Sequence, residues 1–257
     1  MLDKVIEVAM LAGKYLKENE GRISEIEEKG SFTNLVTNID KGSEALITKF
    51  IKEKFPDHGI LAEESGATQA SSEYRWIIDP LDGTTNYTHA FPVYCVSVGV
   101  EYMGEVIAGA VYDPNFDELF SAEKGSGAFI NDKRLHVTST DNLERSLLAT
   151  GFPYDVKLNP FNCLQHFNEF LLEAQAIRRL GSAALDICYV AAGRIDGFWE
   201  VNLHPWDTAA AVLIAREAGG RVSDFRGNNY SIYQRNILLS NGRIHKQMIE
   251  VLKKNLV

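Results

Sequence analysis

The sequence has few cysteines and no long apolar run, and these shortages exclude several classes of protein. Its cysteines, Cys95, Cys163 and Cys188, form no C-x-x-C pair and each lies in an apolar stretch, which predicts buried side chains rather than a disulfide framework. No apolar stretch approaches the roughly 18 residues of a membrane span. The first residues lack the apolar core of a signal peptide, since Asp3 and Lys4 interrupt them. We therefore expect a soluble cytoplasmic protein that does not enter a membrane.

A basic surface is also missing. The chain has 26 Lys and Arg against 35 Asp and Glu, for a net charge of -9. A non-specific nucleic-acid binder needs positive charge to displace counterions, so direct nucleic-acid binding is not expected. With 257 residues, 45% of them hydrophobic, the chain can bury a large core as one domain or as two joined halves.

The most informative stretch runs from Trp76 to Asn86. Its apolar beginning predicts a buried strand, and Pro80 is expected to end that strand because proline cannot donate to a ladder. Asp79 then lies at the exit of the strand, and Asp82 follows across a tight turn. An isolated Asp-Pro or Asp-Gly pair is usually only a turn, so either aspartate alone has a structural explanation.

The residues after Asp82 complete the pattern. Gly83 lets the backbone approach a ligand closely. The segment Thr84–Asn86 is expected to open a helical turn whose free amides suit a phosphate. Carboxylates that can hold cations thus stand beside amides that can hold an anion, which indicates metal-assisted phosphate chemistry.

Periodicity predicts the other elements along the chain. Helices are expected at 2–16, from Asp40 to 55, at 161–174, from Ser182 to 192, at 208–218 and at the C-terminus; strands are expected at 60–62, 93–100, 106–112, 134–137, 147–150, 176–180, 195–200 and 237–239. Residues 19–38 are predicted to form a loop or a weak hairpin. Gly125–Phe129 lacks the third glycine of a dinucleotide loop and predicts a hairpin corner. We expect an antiparallel-rich half at 1–145 and an α/β half at 146–257 that completes the active site.

Four acids stand at strand ends or helix starts: Glu63, Asp79, Asp82 and Asp207. Carboxylates brought together without cations repel one another and raise one another's pKa. A site made only of oxygens suits Mg²⁺ or Mn²⁺, whereas zinc prefers nitrogen and sulfur, and none of the histidines forms an H-E-x-x-H pattern.

Each acid also has a purely structural alternative. Asp207 and Asp40 stand where a helix N-cap is wanted, and Glu63 with Glu64 would suit a solvated turn. His204 fits a packed or surface residue. Sequence spacing leaves open whether these groups meet.

Several segments resemble signature blocks of the inositol monophosphatase family, whose members are Mg²⁺-dependent, lithium-sensitive sugar-phosphate phosphatases. The segments are Ala62–Glu64, Trp76–Asn86 and Pro205–Asp207 with the helix to Gly220, together with Leu35–Asp40 and Gly125–Phe129. The resemblance covers nearly the whole chain, and Gly151–Asp155 is most similar to bacterial or archaeal members. It implies an α/β (α+β) fold, a layered αβαβα sandwich, assembled as a homodimer.

The resemblance also implies roles for individual residues. The metal ligands would be Glu63, Asp79, Asp82, Asp207 and the carbonyl of Leu81, holding two or three Mg²⁺ ions, or Mn²⁺ in their place. Thr84 and Asp40 would orient and deprotonate the attacking water, with Glu63 assisting. The amides of Gly83 and Thr84 would hold phosphate.

The same resemblance implies which residues contact substrate and which residue lies on a mobile loop. Those expected to contact substrate are Asp82, Gly83, Thr84, Thr85, Arg178, Gly181, Ala183, Glu200 and Asp207. Glu200 would hydrogen-bond substrate hydroxyls, and Arg178 would contact either substrate or a dimer partner. Lys29 would lie on a mobile loop near a further Mg²⁺.

The leading hypothesis is hydrolysis of myo-inositol monophosphate, a small sugar-like phosphate. Fructose-1,6-bisphosphatase activity, alone or as a second activity, is the alternative, and nucleotide 3′-phosphatase activity is more distant. A non-catalytic docking or regulatory protein on the same fold is a further alternative, although the complete set of acids speaks against it.

Overall fold

The computed structural model describes residues 1–255. The α-helices are α1 (Leu2–Glu18), α2 (Asn38–Lys54), α3 (Thr84–Thr88), α4 (Cys163–Glu173), α5 (Ala183–Ala191), α6 (Pro205–Glu217) and α7 (His245–Lys253). The strands are β1 (Ile26–Glu28), β2 (Leu35–Thr37), β3 (Gly59–Ala62), β4 (Gly66–Ala67), β5 (Tyr74–Asp82), β6 (Cys95–Tyr102), β7 (Glu105–Asp113), β8 (Glu118–Glu123), β9 (Ala128–Ile130), β10 (Lys133–Arg134), β11 (Leu147–Thr150), β12 (Ala176–Arg178), β13 (Gly197–Glu200), β14 (Arg221–Ser223) and β15 (Ile237–Ser240). Short 3₁₀ turns occur at Leu143–Arg145, Val156–Leu158 and Pro160–Asn162.

The strands within residues 1–255 form two large sheets and a hairpin. The first sheet has the order β10-β9-β8-β7-β6-β5-β3-β4, with only β3 and β5 parallel. The second has the order β12-β11-β13-β15-β14 and is mixed. β1 and β2 pair as a separate hairpin, which was one of the two alternatives predicted for the polar stretch 19–38.

Alternating side chains on β5 explain the layers. Trp76 and Ile78 face one side of the first sheet and pack with the apolar faces of α1 and α2. Ile77 faces the other side, where α5 and α6 lie between the two sheets. On the far side of the second sheet, α4 and α7 contribute Phe170 and Met248 to a third cluster. The order is therefore α, β, α, β, α, and the predicted fold is confirmed.

The prediction that Pro80 ends the central strand is wrong. β5 continues through Pro80 to Asp82, and its pairing with β6 shifts register between Asp79 and Asp82. The parallel pairing with β3 has already stopped at Ile78. A bulge leaves a residue unpaired, so the missing N–H of proline is tolerated there.

Several smaller predictions are confirmed. Gly125 and Gly127 form the corner between β8 and β9, with φ of 78° and 87°. The three cysteines are free and buried. No helix in the described range 1–255 has both the length and the apolar character needed to cross a bilayer.

The division into halves at residue 145 remains a prediction. The two large sheets lie on either side of it, but α5 and α6 pack against both. The last two residues of the expected second half lie outside the described residues.

Candidate active site

A cavity of about 540 Å³ opens where the end of β5 meets the beginnings of α3, α5 and α6. Strand ends and helix starts bring side chains from distant parts of the chain to one place. All four acids singled out in the sequence line this cavity, namely Glu63, Asp79, Asp82 and Asp207. The structure therefore places Asp207 beside the pair on β5, across more than a hundred intervening residues.

The acids act on one another electrostatically. Burial raises the pKa of Asp79 well above its usual range, and the negative charges of Glu63, Asp82 and Asp207 raise it further. Burial and the charge of Glu63 likewise raise the pKa of Asp207. Such mutual repulsion is what a cation between the carboxylates would relieve.

Hydrogen bonds fix one oxygen of each aspartate and so orient the carboxylate. Asp79 Oδ1 accepts from the Leu81 amide at 3.0 Å. Asp82 Oδ2 accepts from Ser182 Oγ at 2.7 Å and from the Ala184 amide at 2.8 Å. These donors lower the pKa of Asp82, although burial raises it by more.

Two of the predicted site acids, Asp207 and Asp40, also accept hydrogen bonds at the start of a helix. Asp207 is the third residue of α6, and its Oδ2 accepts from the amide of the N-cap His204 at 2.6 Å. Asp40 has the same place in α2, whose N-cap is Thr37. Both helices thus begin earlier than predicted, and neither acid is itself the N-cap. A reciprocal capping box holds each carboxylate in a fixed orientation.

Lys29, on the loop between β1 and β2, supplies positive charge to this end of the cavity. Its Nζ lies 3.0 Å from Glu63 Oε1 and 2.6 Å from Glu64 Oε1. Burial raises the pKa of Glu64 to about 7, against the lowering effect of Lys29. The loop position expected for Lys29 therefore reaches the acids.

The donor chemistry fits Mg²⁺, although the ligand shell is not ready-made. No group of three or more His, Cys, Asp or Glu side chains in residues 1–255 is already arranged to hold a metal ion. The cavity acids nevertheless offer oxygen donors only, which Mg²⁺ prefers. Because uncompensated carboxylates repel, we expect Glu63, Asp79 and Asp207 to draw together around a cation.

Thr84 forms a hydrogen-bonded pair with Asp40. Thr84 Oγ1 lies 2.8 Å from Asp40 Oδ1 and 3.1 Å from the Leu81 carbonyl oxygen. The other oxygen of Asp40 accepts from the Thr37 amide at 2.9 Å. Thr84 lines the cavity, whereas Asp40 is only 1% exposed and lies behind it. Burial raises the pKa of Asp40 despite these hydrogen bonds. The arrangement can pass a proton from the cavity to a buried carboxylate.

Gly83 directly precedes α3 and lines the cavity. Its φ is 98°, and a Cβ there would come within 2.9 Å of the Val93 carbonyl oxygen. A side chain is therefore excluded for two reasons, conformation and space. No side chain caps the start of α3, and Gly83, Thr84 and Thr85 all line the cavity.

Most of the other predicted substrate contacts also lie at the cavity. Gly181, Ala183 and Glu200 line it. Glu200 is buried, and burial together with the charge of Asp82 raises its pKa to about 8.

Arg178 is not among the lining residues. Its side chain is exposed and donates to the carbonyl of its neighbour Ile177, while Arg179 lines the cavity. Consecutive side chains on an extended segment point in opposite directions, so an error of one position moves the residue to the other side. The structure therefore places Arg179, and not Arg178, at the cavity, and a contact of Arg178 with substrate or with a dimer partner stays a prediction.

Several cavity residues had been given no role from the sequence, among them Asp186 and Tyr154. Asp186, in α5, is 1% exposed, and its Oδ1 accepts no hydrogen bond. The only signal for it is a lone acid in an otherwise apolar helix, Ala183–Ala191. Tyr154 belongs to the loop after β11, within the segment Gly151–Asp155, whose resemblance to bacterial or archaeal members gives it no residue-level role. Its carbonyl accepts from Thr33 Oγ1 at 3.0 Å, which joins this loop to the β1–β2 hairpin.

Comparisons with known proteins give a consistent result. A model of the inositol monophosphatase family matches residues 1–256. The inositol-1-monophosphatase of Synechocystis sp. is 42% identical over 252 residues, covering 98% of this chain and 88% of that protein. The Nus factor SuhB of Vibrio cholerae is 41% identical over 258 residues, covering 99% and 96%. The crystal structure of extragenic suppressor protein suhB from Bartonella henselae matches with a TM-score of 0.94 at 40% identity, covering 99% of this chain and 98% of that one.

Proposed function

The chain belongs to the inositol monophosphatase family and is a phosphoric monoester hydrolase, and we propose that it converts myo-inositol monophosphate to inositol and phosphate with Mg²⁺. The family is generally metal-dependent. The observation that carries the proposal is the meeting of Glu63, Asp79, Asp82 and Asp207 in one cavity, beside the Thr84–Asp40 pair.

The acids would hold the cations together with the carbonyl of Leu81, which lines the same cavity. Bound Mg²⁺ lowers the pKa of water and neutralises charge that develops on the ester and its leaving oxygen. The amides of Gly83 and Thr84 would receive the phosphate oxygens at the uncapped start of α3.

The Thr84–Asp40 pair would handle the proton. Thr84 Oγ1 accepts a hydrogen bond from the attacking water and orients it towards phosphorus. As the water attacks, its proton passes to Thr84 and the hydroxyl proton passes to Asp40 Oδ1, 2.8 Å away. The raised pKa of Asp40 makes it a better proton acceptor than an exposed aspartate. Glu63, which lines the same cavity, would assist in orienting the water.

The direct test is release of phosphate from myo-inositol monophosphate. We expect turnover that requires Mg²⁺, is abolished by a chelator, is inhibited by lithium and is absent in Asp82→Asn. Asp132→Asn, an exposed aspartate in the β9–β10 turn, is the matched control and should keep full activity. Turnover by Asp82→Asn at the wild-type rate would refute the proposal.

Fructose-1,6-bisphosphatase activity is the competing substrate assignment. The ratio of kcat/KM values for the two substrates ranks them, because both meet the same acids. A fructose bisphosphate value well above that for inositol phosphate would reverse the order proposed here. The expected homodimer is checked on the same preparation by light scattering.

A regulatory role is a second candidate, supported by relatives that carry the name Nus factor SuhB in Vibrio cholerae and Escherichia coli at 41% identity. Asp82→Asn separates it from catalysis. If cells that depend on this protein grow normally with the inactive variant, docking to another macromolecule is the better description; if they fail, hydrolysis is.

A further inference from the structure

The wall of the cavity contains a buried acid to which the proposed mechanism gives no role. Asp186 lies in the first turn of α5 and is 1% exposed. It lines the cavity, and its Oδ1 accepts no hydrogen bond from residues 1–255. Leaving a buried polar acceptor without a partner costs stability, and nearly all such groups are satisfied in folded proteins. Because Asp186 lines the cavity, a ligand bound there can supply the donor that the protein lacks.

Asp186 stands near a second acid of the same wall. The charge of Glu200, on β13, acts on Asp186, and Arg179 is a cation that acts on both. Glu200 presses against the backbone at Gly151, where a Cβ would come within 2.2 Å of its Oε1. One acid therefore approaches the cavity from a helix and the other from a strand, each held by its own element.

We propose that Asp186 is a second hydroxyl-binding acid, which acts with Glu200 to select substrates whose alcohol part is a polyol. This inference rests on the proposed function and deepens it. Two acceptors on separate elements can receive hydroxyl hydrogens from two positions of one ring. A second phosphate in the same place would bring further negative charge against both acids, so the wall also disfavours bisphosphorylated sugars.

The test compares two ring substrates that differ only in their hydroxyls, myo-inositol monophosphate and cyclohexyl phosphate. A hydrogen bond to a charged acceptor contributes enough to change kcat/KM by roughly 10- to 100-fold. We expect Asp186→Asn to lower kcat/KM for inositol phosphate by about that factor and to change the cyclohexyl value less than about threefold. Relative activity on fructose 1,6-bisphosphate should rise. Equal losses on both ring substrates, or no loss on either, would overturn the inference.

Protein stability separates a ligand-binding role from a structural one. Asp186→Asn replaces a buried, unpartnered carboxyl group, so its melting temperature should be unchanged or higher, whereas loss of a structural contact would lower it. Asp113→Asn is the matched control, since Asp113 is also buried with an unpartnered oxygen but lies outside the cavity. It should not alter the ratio of the two ring substrates; an equal change would count against Asp186.

A measurement on the unmodified protein needs no variant. If the wall binds hydroxyls, the wild type must prefer inositol phosphate to cyclohexyl phosphate by at least about 10-fold in kcat/KM; equal values refute the inference. Failure of the proposed function looks different, because no Mg²⁺-dependent hydrolysis of either ester would then occur.

Discussion

The burial of Glu200 makes the stability of the metal-free protein depend on pH. Glu200 is a useful probe because it lies in the cavity wall and is not one of the proposed metal ligands. Glu200→Gln keeps the shape of the side chain and removes its charge. Comparison of this variant with the wild type therefore isolates the cost of ionising one buried carboxyl.

The sign and size follow from the pKa, which burial raises from 4.5 to about 8. At acidic pH, below the lower value, the carboxyl is protonated in both the folded and unfolded states and contributes nothing. As pH rises between the two values the unfolded state ionises first, so the folded wild type loses stability. Above the higher value the full cost is present, about 5 kcal/mol. Glu200→Gln has no carboxyl group to ionise at this position, so it does not lose this stability as pH rises.

The assay is thermal unfolding in a chelator, from about pH 4 to about pH 9. Wild type and variant should melt together at the acidic end. At the alkaline end the variant should melt roughly 10 to 20 °C higher, since about 1 kcal/mol shifts a chain of this size by about 2 to 4 °C. Glu28→Gln, an exposed acid on β1, should match the wild type throughout. A gain of the same size at both ends, or a variant less stable at the alkaline end, would refute the reasoning.

Three further predictions concern Thr84, Lys29 and Gly83. Thr84→Val should lower kcat by roughly 10²- to 10⁴-fold while Mg²⁺ affinity, measured by calorimetry, changes little, because the hydroxyl moves a proton and is not a proposed ligand; a loss of Mg²⁺ binding instead would contradict this role. Lys29→Met should tighten Mg²⁺ binding several-fold, since the ammonium no longer pairs with Glu63; weaker binding would show that the lysine supports the site. Gly83→Ala should reduce the free energy of unfolding, measured with urea, by more than Gly104→Ala does, because both glycines have positive φ but only the first is also crowded by backbone. Equal losses would remove the steric part of that argument.

Most strands and helices could be predicted because the apolar periods in the sequence agree with the final packing, whereas the layered order of the sandwich was implied by the resemblance to the family. Trp76, Ile77 and Ile78 alternate between two helical layers, and an apolar run of this kind indicates a strand covered on both faces. The end of the same strand could not be predicted. A proline usually ends a strand, and only the register shift opposite Ser97 and Cys95 accommodates Pro80 here.

The proposed metal ligands were easier to predict from the sequence than the proposed substrate-binding residues. The acids on β5 stand in a dense local motif, and Asp207 follows a recognisable Pro-Trp helix start. By contrast, Asp186 looks like a single polar interruption of an apolar helix. Whether its side chain reaches the cavity depends on which face of α5 meets the cavity. Arg178 and Arg179 are adjacent, and only the path of the chain after β12 decides which one reaches the site.

The central claim is that distant carboxylates form one cation site. Its most direct test is a crystal structure of the protein with Mn²⁺, measured at the manganese absorption edge. The account predicts anomalous density between Glu63, Asp79, Asp82 and Asp207, with the Lys29 ammonium displaced from Glu63, and loss of that density in Asp82→Asn. Anomalous density elsewhere, or none in the cavity at saturating Mn²⁺, would contradict it.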